Sequence, residues 1–207
     1  MRDLPVISAE LLAWYDRHAR VLPWRMPPGA GGADPYRVWL SEVMLQQTTV
    51  AAVRGYFERF TARWPTVQAL AAADEAEVMA AWAGLGYYAR ARNLHAAARR
   101  CMESFGGELP RSVEDLCTLP GVGRSTAGAI LAQAHGERVA ILDGNVKRVL
   151  ARYVAQDGYP GEPKVARQLW EVAERLTPRQ RVNHYTQAMM DLGATLCTRS
   201  RPSCLLC

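Results

Sequence analysis

The sequence predicts an all-α protein, and three observations support that prediction. Apolar residues recur at helical spacing in successive runs, and no stretch alternates apolar and polar residues as a half-buried strand would. The runs begin at serine, aspartate or Asp-Pro signals and end near glycine or proline, the residues that commonly start and stop helices. One short connection, residues 119–123, has the Pro-Gly-x-Gly pattern of a tight turn between two helices.

The composition is that of a folded globular protein. Of 207 residues, 49% are hydrophobic and 22% are charged, which excludes a disordered chain. The 25 Lys and Arg residues exceed the 20 Asp and Glu residues, and the net charge of +5 permits a polyanionic partner. No run reaches the length of a membrane span and the opening residues lack the apolar segment of a signal peptide, so we expect a cytoplasmic protein.

Clear start signals predict the first two helices. Residues 8–20 form an amphipathic run capped by Ser8, and the Leu-Pro-Trp-Arg segment at 22–25 ends it. A loop rich in proline and glycine follows. Asp34 and Pro35 then supply a carboxylate cap and a proline at the first helical position, so a second helix should begin there.

The second helix is predicted over residues 35–48 and carries Glu42 among apolar residues. At helical spacing Trp39 and Val43 share a broad face, and Glu42 lies at its border. Burial there would raise the pKa of the carboxyl group, as a general acid requires at neutral pH. From this segment alone, a solvent-exposed glutamate is the alternative.

Three further helices precede the tight turn. The apolar spacing and caps predict them over 50–64, from Asp74 to Gly84, and over about 88–105. Before the last of these, Tyr87 stands at a loop-to-helix junction, where an aromatic side chain can insert between base pairs or simply pack at the helix start. The last helix carries four arginines that either contact phosphate groups or face solvent: Arg90, Arg92, Arg99 and Arg100.

The turn at 119–123 is predicted to join the two helices of a helix-hairpin-helix. Ser112 with Asp115 caps a short helix before the turn, and a run of small residues over 125–134 predicts the helix after it. The two glycines of the turn allow N–H groups to point outward beside a helix N-terminus, which favours an anion such as a DNA phosphate. An ordinary turn without a ligand is the alternative.

Asp143 follows an apolar triplet and precedes an amphipathic run, so it is a candidate N-cap. The positive end of that helix would favour the anionic carboxylate. A cap without a catalytic role is the alternative from this segment alone. Two more helices are predicted, over 162–176 and 182–196.

Four segments together carry a resemblance to a known family. They are SEVMLQQT at 41–48, GYYARARNL at 86–94, LPGVGRSTAGAI at 119–130 and ILDGNVKRVLAR at 141–152. In combination they resemble the helix-hairpin-helix DNA glycosylase superfamily, which includes endonuclease III, and within it the MutY-type adenine glycosylases. The resemblance covers residues 8–207.

The resemblance implies a role for each segment. Glu42 would protonate the leaving adenine, while Asp143 would stabilise positive charge on the sugar and orient water. The implied base pocket consists of Trp24, Arg25, Leu45 and Gln47, although Trp24 could equally belong to the core. The implied contacts to the sugar or to Asp143 come from Ser125, Asn145 and Gln187. The implied DNA contacts come from Gln46, Tyr87 as a wedge, Leu119, Gly121, Val122, Gly123 and Lys147.

Three cysteines near the end have a spacing typical of metal ligands. Cys197-x6-Cys204-x2-Cys207 resembles the first three ligands of the superfamily's C-x6-C-x2-C-x5-C loop, which holds a [4Fe-4S] cluster. The sequence offers no fourth cysteine at that spacing, so we expect a chain truncated inside the loop. A loop without metal, or with an exogenous ligand, is the alternative. We also expect a C-terminal domain that recognises oxidised guanine to be absent.

These features predict a monofunctional DNA glycosylase that removes adenine opposite 8-oxoguanine or guanine and leaves an abasic site. Related bifunctional enzymes carry a lysine at the position of Ser125, and serine cannot form their Schiff base. The alternatives are a bifunctional pyrimidine glycosylase and lyase similar to endonuclease III, and a DNA-binding fragment without activity.

The resemblance also implies a division into two helical lobes. Residues 27–137 would form a six-helix barrel lobe that includes the hairpin, and residues 1–26 with 138–207 would form an iron-sulfur lobe. Double-stranded DNA would lie in the groove between them. We expect a monomer that acts in a bacterial cytoplasm at the nucleoid.

Overall fold

The computed structural model of the protein describes residues 7–27 and 29–207. This part of the chain contains no strand and forms α1 (Ser8–His18), α2 (Pro35–Leu45), α3 (Val50–Arg63), α4 (Val67–Ala71), α5 (Glu75–Trp82), α6 (Ala89–Ser104), α7 (Val113–Leu116), α8 (Arg124–His135), α9 (Gly144–Tyr153), α10 (Pro163–Leu176) and α11 (Val182–Thr195), with a final 3-10 turn at Cys204–Leu206. The all-α prediction is confirmed.

No helix in this described part is long and apolar enough to cross a membrane. The opening six residues, which entered the signal-peptide prediction, and Pro28 of the proline-rich loop lie outside the described residues.

Most predicted helix starts are confirmed by their hydrogen bonds. Asp34 accepts a hydrogen bond from the Tyr36 N–H at 2.8 Å, with proline at the first helical position of α2. Ser112 accepts one from the Asp115 N–H at 3.0 Å. The predicted cap at Ser8 is wrong, because Ser8 is already helical and α1 begins after Ile7 without a side-chain cap.

The predicted ends differ where the backbone turns sharply. The second helix was expected to reach Thr48 but α2 ends at Leu45, because Gln47 adopts a left-handed conformation with φ of 56°. The short helix α4 escaped prediction because five residues are too few to show a period.

Two clusters of buried apolar side chains form the interior. The first cluster is built from α2 to α8 and from the segment at 22–24, with Trp39, Phe57 and Trp82 fully buried. The second cluster is built from α1, α9, α10, α11 and the segment at 140–142. A two-lobed fold results. Its predicted boundaries stay predictions, and Leu22 and Trp24, assigned by sequence to the iron-sulfur lobe, pack in the first cluster.

Helix α8 lies between the two clusters. It packs against α2 on one side and α11 on the other. Ala127 and Ile130 belong to the first cluster, whereas Ala129 belongs to the second. Gly128 lets the segment before α9 approach closely, since a Cβ at this position would lie 2.5 Å from the Ala140 carbonyl oxygen.

A buried aspartate joins the segment after α1 to α11. Asp191 is inaccessible to solvent, and its Oδ1 accepts hydrogen bonds from Arg20 Nε at 2.6 Å and from Arg25 Nη1 at 2.5 Å. Its Oδ2 accepts a third from the Arg20 N–H at 3.2 Å. A buried carboxylate requires such pairing, because desolvation strongly disfavours an isolated charge.

Removal of this buried charge should destabilise the fold. Asp191→Asn would leave two guanidinium groups without their anion, and the free energy of unfolding should fall by about 3 to 5 kcal/mol. Denaturant unfolding followed by circular dichroism would measure the change. The matched control is Asp16→Asn, which removes a charge paired with Arg181 on the surface and should cost about 1 kcal/mol or less. Equal losses in the two variants would contradict this assignment.

Candidate active site

A cavity of about 900 Å³ opens between the lobes and brings together nine of the predicted site residues. Its walls include residues from α2, from the N-terminal half of α8 and from the start of α9. The predicted residues that line it are Trp24, Arg25, Glu42, Leu45, Gln46, Gln47, Ser125, Asp143 and Asn145.

Glu42 occupies the α2 wall of the cavity. Its Oε1 accepts a hydrogen bond of 3.4 Å from Gln133 Nε2, donated from the buried face of α8. Burial raises the pKa of Glu42 to about 7, and the charge of Asp143 adds to this increase. The group retains some access to the cavity, yet enough protein surrounds it for desolvation to dominate.

Asp143 lines the same cavity as the N-cap of α9. Its Oδ1 accepts a hydrogen bond from the Val146 N–H at 2.7 Å, which confirms the predicted cap. We expected the helix N-terminus to favour the anion. The pKa of Asp143 is instead raised, because desolvation outweighs the hydrogen bonds from the backbone N–H groups of Val146 and Asn145.

The two carboxyl groups interact electrostatically. Burial is the main cause of the raised pKa of Glu42, and the negative charge of Asp143 adds to it. Backbone N–H donors and the nearby charge of Arg148 oppose the effect of burial on the pKa of Asp143. Acid-assisted hydrolysis of a glycosidic bond uses one carboxylic acid and one carboxylate, and two carboxyl groups in one cavity can supply both.

Ser125 fixes the approach to Asp143. Its hydroxyl oxygen accepts a hydrogen bond of 3.0 Å from the backbone N–H of Leu142, so α8 holds the residue immediately before the carboxylate. On the other side, Asn145 Oδ1 accepts from Arg148 Nη2 at 2.8 Å. Ser125 and Asn145 thus border the cavity, and Ser125 orients the backbone that leads into Asp143.

Two residues of the predicted base pocket, Trp24 and Arg25, already have partners within the protein. Trp24 borders the cavity but is 5% exposed, and its ring packs edge to face on Phe57 with the centroids 5.2 Å apart. Arg25 lies close enough to Glu42 to lower the pKa of that group, although burial dominates. Its guanidinium is held by Asp191.

Gln187 lies away from the cavity lining. It is 2% exposed, and its Oε1 accepts a hydrogen bond of 2.5 Å from the Tyr15 hydroxyl within the second cluster. A helical residue can share a lobe with the site and still face the opposite side of its helix. Direct contact with Asp143 or a sugar does not follow from this placement.

The hairpin turn contributes backbone rather than side chains to the surface. Leu119 and Val122 are buried in the first cluster, and the Val122 N–H donates to the Leu119 carbonyl at 3.1 Å. Gly121 and Gly123 are exposed. Gly121 has φ of 77°, and a Cβ there would lie 3.0 Å from Asn93 Cβ, so this position requires glycine.

Tyr87 projects toward solvent, and its role as a wedge stays a prediction. It is 61% exposed and has a left-handed backbone with φ of 49°. Lys147 lies one turn into α9, half-buried, and does not line the cavity. Arg90, for which phosphate contact or solvation was expected, is neither free nor solvated, because its guanidinium is buried against backbone carbonyl groups.

The three terminal cysteines line a second cavity of about 200 Å³. Cys197, Cys204 and Cys207 share it with apolar residues of α9 and α11. Arg152 Nη1 donates to Cys197 Sγ at 3.2 Å. Within the described residues, no three His, Cys, Asp or Glu side chains converge closely enough to hold a metal ion. The thiols thus have the right chemistry and share one cavity without forming a closed ligand set.

Sequence reasoning missed three polar residues that organise the site. They are Gln133, which bonds Glu42, Asp191, which holds Arg25, and Arg90, which caps α2. Each is a buried polar residue within a helix. A polar residue at a position where helical spacing predicts an apolar one is the signal that could have marked them.

The chain is similar to known DNA repair proteins. Residues 40–175 match the model of the HhH-GPD superfamily of base excision DNA repair proteins. The adenine DNA glycosylase of Homo sapiens is 46% identical over 213 residues, covering 100% of this chain and 39% of that protein. The adenine DNA glycosylase of Mycobacterium tuberculosis is 42% identical, covering 98% of this chain and 65% of that protein. The chain thus spans less than two thirds of either relative.

Solved structures share the fold. A thermostable thymine-DNA glycosylase superposes with a TM-score of 0.83 at 26% identity, covering 98% of this chain and 91% of that chain. Endonuclease III in a non-covalent complex with DNA superposes with a TM-score of 0.77 at 22% identity, covering 96% and 88%. The second likeness establishes the fold alone. The predicted two-lobed helix-hairpin-helix architecture is confirmed.

Replacement of Glu42 by glutamine should stabilise the protein at high pH. Its folded pKa of about 7 exceeds its ordinary value of 4.5, so ionisation of Glu42 costs stability as the pH rises between these values. Glu42→Gln should raise the free energy of unfolding on the order of 3 kcal/mol at about pH 8, and little at about pH 4.5. Denaturant unfolding at both pH values measures the gain.

The control for this effect is Glu58→Gln in α3, because Glu58 is exposed. This variant should change stability by no more than a few tenths of a kcal/mol at either pH. A gain in Glu42→Gln that is independent of pH would contradict the raised pKa.

Proposed function

The chain belongs to the HhH-GPD superfamily of base excision DNA repair proteins, and from this premise we propose that it is an adenine-specific DNA N-glycosylase. The relatives compared above carry the name adenine DNA glycosylase. The observation that carries the proposal is the pair of carboxyl groups, Glu42 and Asp143, which line one cavity where burial raises the pKa of Glu42 to about 7.

The two groups divide the work of hydrolysis. Glu42 in its protonated form donates a proton to the leaving adenine, which weakens the N-glycosidic bond. Asp143 in its ionised form stabilises the positive charge that develops on the sugar, and it orients the attacking water. Burial strengthens both effects, because few water dipoles screen the charges.

We propose a monofunctional reaction that leaves an abasic site. A lyase step needs an amine nucleophile, and the described residues that line the cavity include no lysine. Ser125 supplies only a hydroxyl, whose oxygen is occupied by the Leu142 N–H. The bifunctional alternative is thus disfavoured.

The proposed partner is double-stranded DNA with adenine opposite 8-oxoguanine or guanine. The exposed Gly121 and Gly123 backbone at the start of α8 suits a phosphate group. Tyr87 would enter the base stack and help to extrude the target base, at a cost of a few kcal/mol. The cavity of about 900 Å³ is large enough for a purine. We further propose that the protein acts as a monomer at a bacterial nucleoid.

We also propose that Cys197, Cys204 and Cys207 supply three ligands of a [4Fe-4S] cluster. Support comes from their shared cavity, where the Arg152 guanidinium donates a hydrogen bond to Cys197 Sγ. When bound, the cluster would provide iron–thiolate bonds that cross-link the C-terminal segment. The chain's residues act in hydrolysis independently of it.

Single-turnover cleavage of a duplex with one adenine opposite 8-oxoguanine tests the proposed reaction. Strand breaks should form only after hot alkali, because hydrolysis leaves an abasic site without cutting the strand. Breaks without alkali would establish a lyase. A duplex with thymine opposite guanine serves as the competing substrate, since a thymine-DNA glycosylase shares the fold at 26% identity. Faster release of thymine would overturn the adenine assignment.

Replacement of either carboxyl group should slow adenine release without unfolding the protein. Glu42→Gln should lower the single-turnover rate about 10²- to 10⁴-fold, since it removes the general acid. Asp143→Asn should lower it about 10²- to 10³-fold, since it removes the stabilising charge. Asparagine is also a good N-cap, and burial raises the pKa of Asp143, so the replacement should not lower the thermal midpoint.

The control for the second variant is Asp74→Asn, the same replacement at the exposed N-cap of α5, where Asp74 accepts from the Ala76 N–H. It should leave the rate of adenine release unchanged. A wild-type rate in Asp143→Asn would remove Asp143 from the mechanism.

The rate of adenine release should fall as the pH rises above about 7. The active form requires protonated Glu42, whose pKa is about 7, so the rate should drop about tenfold per pH unit on the alkaline side. On the acidic side the rate should fall as Asp143 takes up a proton. Because burial raises the pKa of Asp143, this fall should begin at a higher pH than it would for an ordinary aspartate. Single-turnover rates across the pH range measure both limbs. An alkaline limb that begins well above pH 8 would contradict the assignment of Glu42.

Iron and acid-labile sulfide analysis of anaerobically purified protein tests the cluster. About four irons per chain are expected in the wild type, and Cys197→Ser should lower that number. Cys117→Ser is the matched control, because Cys117 is exposed and lies outside the cysteine-lined cavity. Wild-type protein without iron or sulfide would contradict the proposed cluster.

A further inference from the structure

Arg90 makes an unusual set of contacts for a cation at the start of a helix. Its side chain is buried, with the residue 8% exposed, and the guanidinium donates hydrogen bonds to five backbone carbonyl oxygens. Nη1 donates to Val43, Met44 and Gln46, at 3.2, 2.7 and 2.6 Å. Nη2 donates to the carbonyl groups of residues 85 and 86, at 3.3 and 3.2 Å.

The two nitrogens thus bind two different segments. Nη1 caps the C-terminal end of α2, the helix that carries Glu42, where unpaired carbonyl groups attract a cation. Nη2 holds the loop between α5 and α6, which presents Tyr87. One planar guanidinium with fixed donor directions can hold two such segments in register, whereas an ammonium group cannot reproduce that geometry.

Two of these carbonyl groups precede residues with left-handed backbones. The Gln46 carbonyl is in the peptide that leads into Gln47, with φ of 56°, and the Gly86 carbonyl is in the peptide that leads into Tyr87, with φ of 49°. Non-glycine residues adopt this conformation at an energetic cost and need support from their surroundings. Arg90 supplies support to both turns from a single side chain.

The rest of the environment holds the guanidinium in place. The Trp82 and Tyr87 rings lie 5.3 and 5.4 Å from its central carbon. Among the contacts of the described residues, no carboxylate pairs with Arg90, and burial lowers its pKa from the ordinary value. The guanidinium is thus desolvated, and its contacts with the carbonyl groups and the two rings fix its position.

We propose that Arg90 is a positioning residue that couples the Tyr87 wedge to the catalytic helix by fixing the left-handed turns at Gln47 and Tyr87 together. Insertion of Tyr87 into a duplex would then place the extruded base in register with Glu42. This inference depends on the proposed function for its role in base extrusion, but the mechanical coupling of the two segments does not.

Hydrogen-deuterium exchange tests the mechanical coupling without DNA. Arg90→Lys keeps the charge but replaces the two donating nitrogens, Nη1 and Nη2, with a single one. Peptides covering 45–49 and 85–88 should therefore both exchange faster than in the wild type. The matched control is Arg99→Lys on the exposed face of α6, which should leave both segments unchanged. Faster exchange in one segment alone would overturn the coupling, as would no change in either.

Base extrusion and cleavage test the consequence for DNA. The fluorescence of 2-aminopurine, placed at the target position, reports an unstacked base. Arg90→Lys should lower this signal and slow adenine release on the order of 100-fold. Binding to an undamaged duplex at the same salt concentration should change less than twofold, because the hairpin is untouched. An unchanged extrusion signal with slower cleavage would show that Arg90 does not act through the wedge.

A double-mutant cycle with Tyr87→Ala completes the test. If Arg90 acts through Tyr87, the combined variant should lose little more extrusion than Tyr87→Ala alone. Additive losses would overturn the proposal. Failure of wild-type protein to release adenine would overturn the proposed function instead, while the exchange experiment would still decide whether Arg90 couples the two segments.

Discussion

Glu42 and Asp143 line one cavity and repel each other once both are charged, so the fold must hold them close together against that repulsion. Helix α8 does so from its position between the lobes. Gln133 on α8 bonds Glu42, and Ser125 on α8 holds the residue before Asp143. The small side chains of α8 and the close approach at Gly128 bring both walls to one helix. Burial in this position raises the pKa of Glu42 to about 7, and the charge of Asp143 adds to the increase.

Buried polar groups connect the segments that border the cavity to the other helices. Asp191 on α11 anchors Arg25 beside the cavity, and Arg90 on α6 anchors the end of α2. Neither contact adds the net stability of an equivalent apolar contact, because both require desolvated charges. Each fixes the direction of a backbone segment that borders the cavity. Positional accuracy, which the proposed chemistry needs, is what these groups provide.

Helical spacing does not predict the backbone conformation at Gln47 and Tyr87. Helical spacing extends α2 through Gln47, yet the backbone there is left-handed, as it is at Tyr87. Both residues follow peptides bonded to Arg90. Such conformations persist only where the surrounding structure enforces them, and they are concentrated at functional sites. The misplaced helix end is thus informative, because it marks where tertiary contacts outweigh local preference.

The family resemblance pointed to the two carboxylates, and the sequence by itself determined the helical class and most helix starts. Those features depend on neighbours within a few residues: Asp34 caps α2 through Tyr36, and Asp143 caps α9 through Val146. Only the tertiary structure decided the direction of the pKa shift of Asp143, where burial outweighs the backbone hydrogen bonds at the helix terminus. It also decided the roles of Gln133, Asp191 and Arg90, which act on segments far away in sequence. Burial and long-range hydrogen bonds have no local sequence period, and for that reason helical spacing could not reveal them.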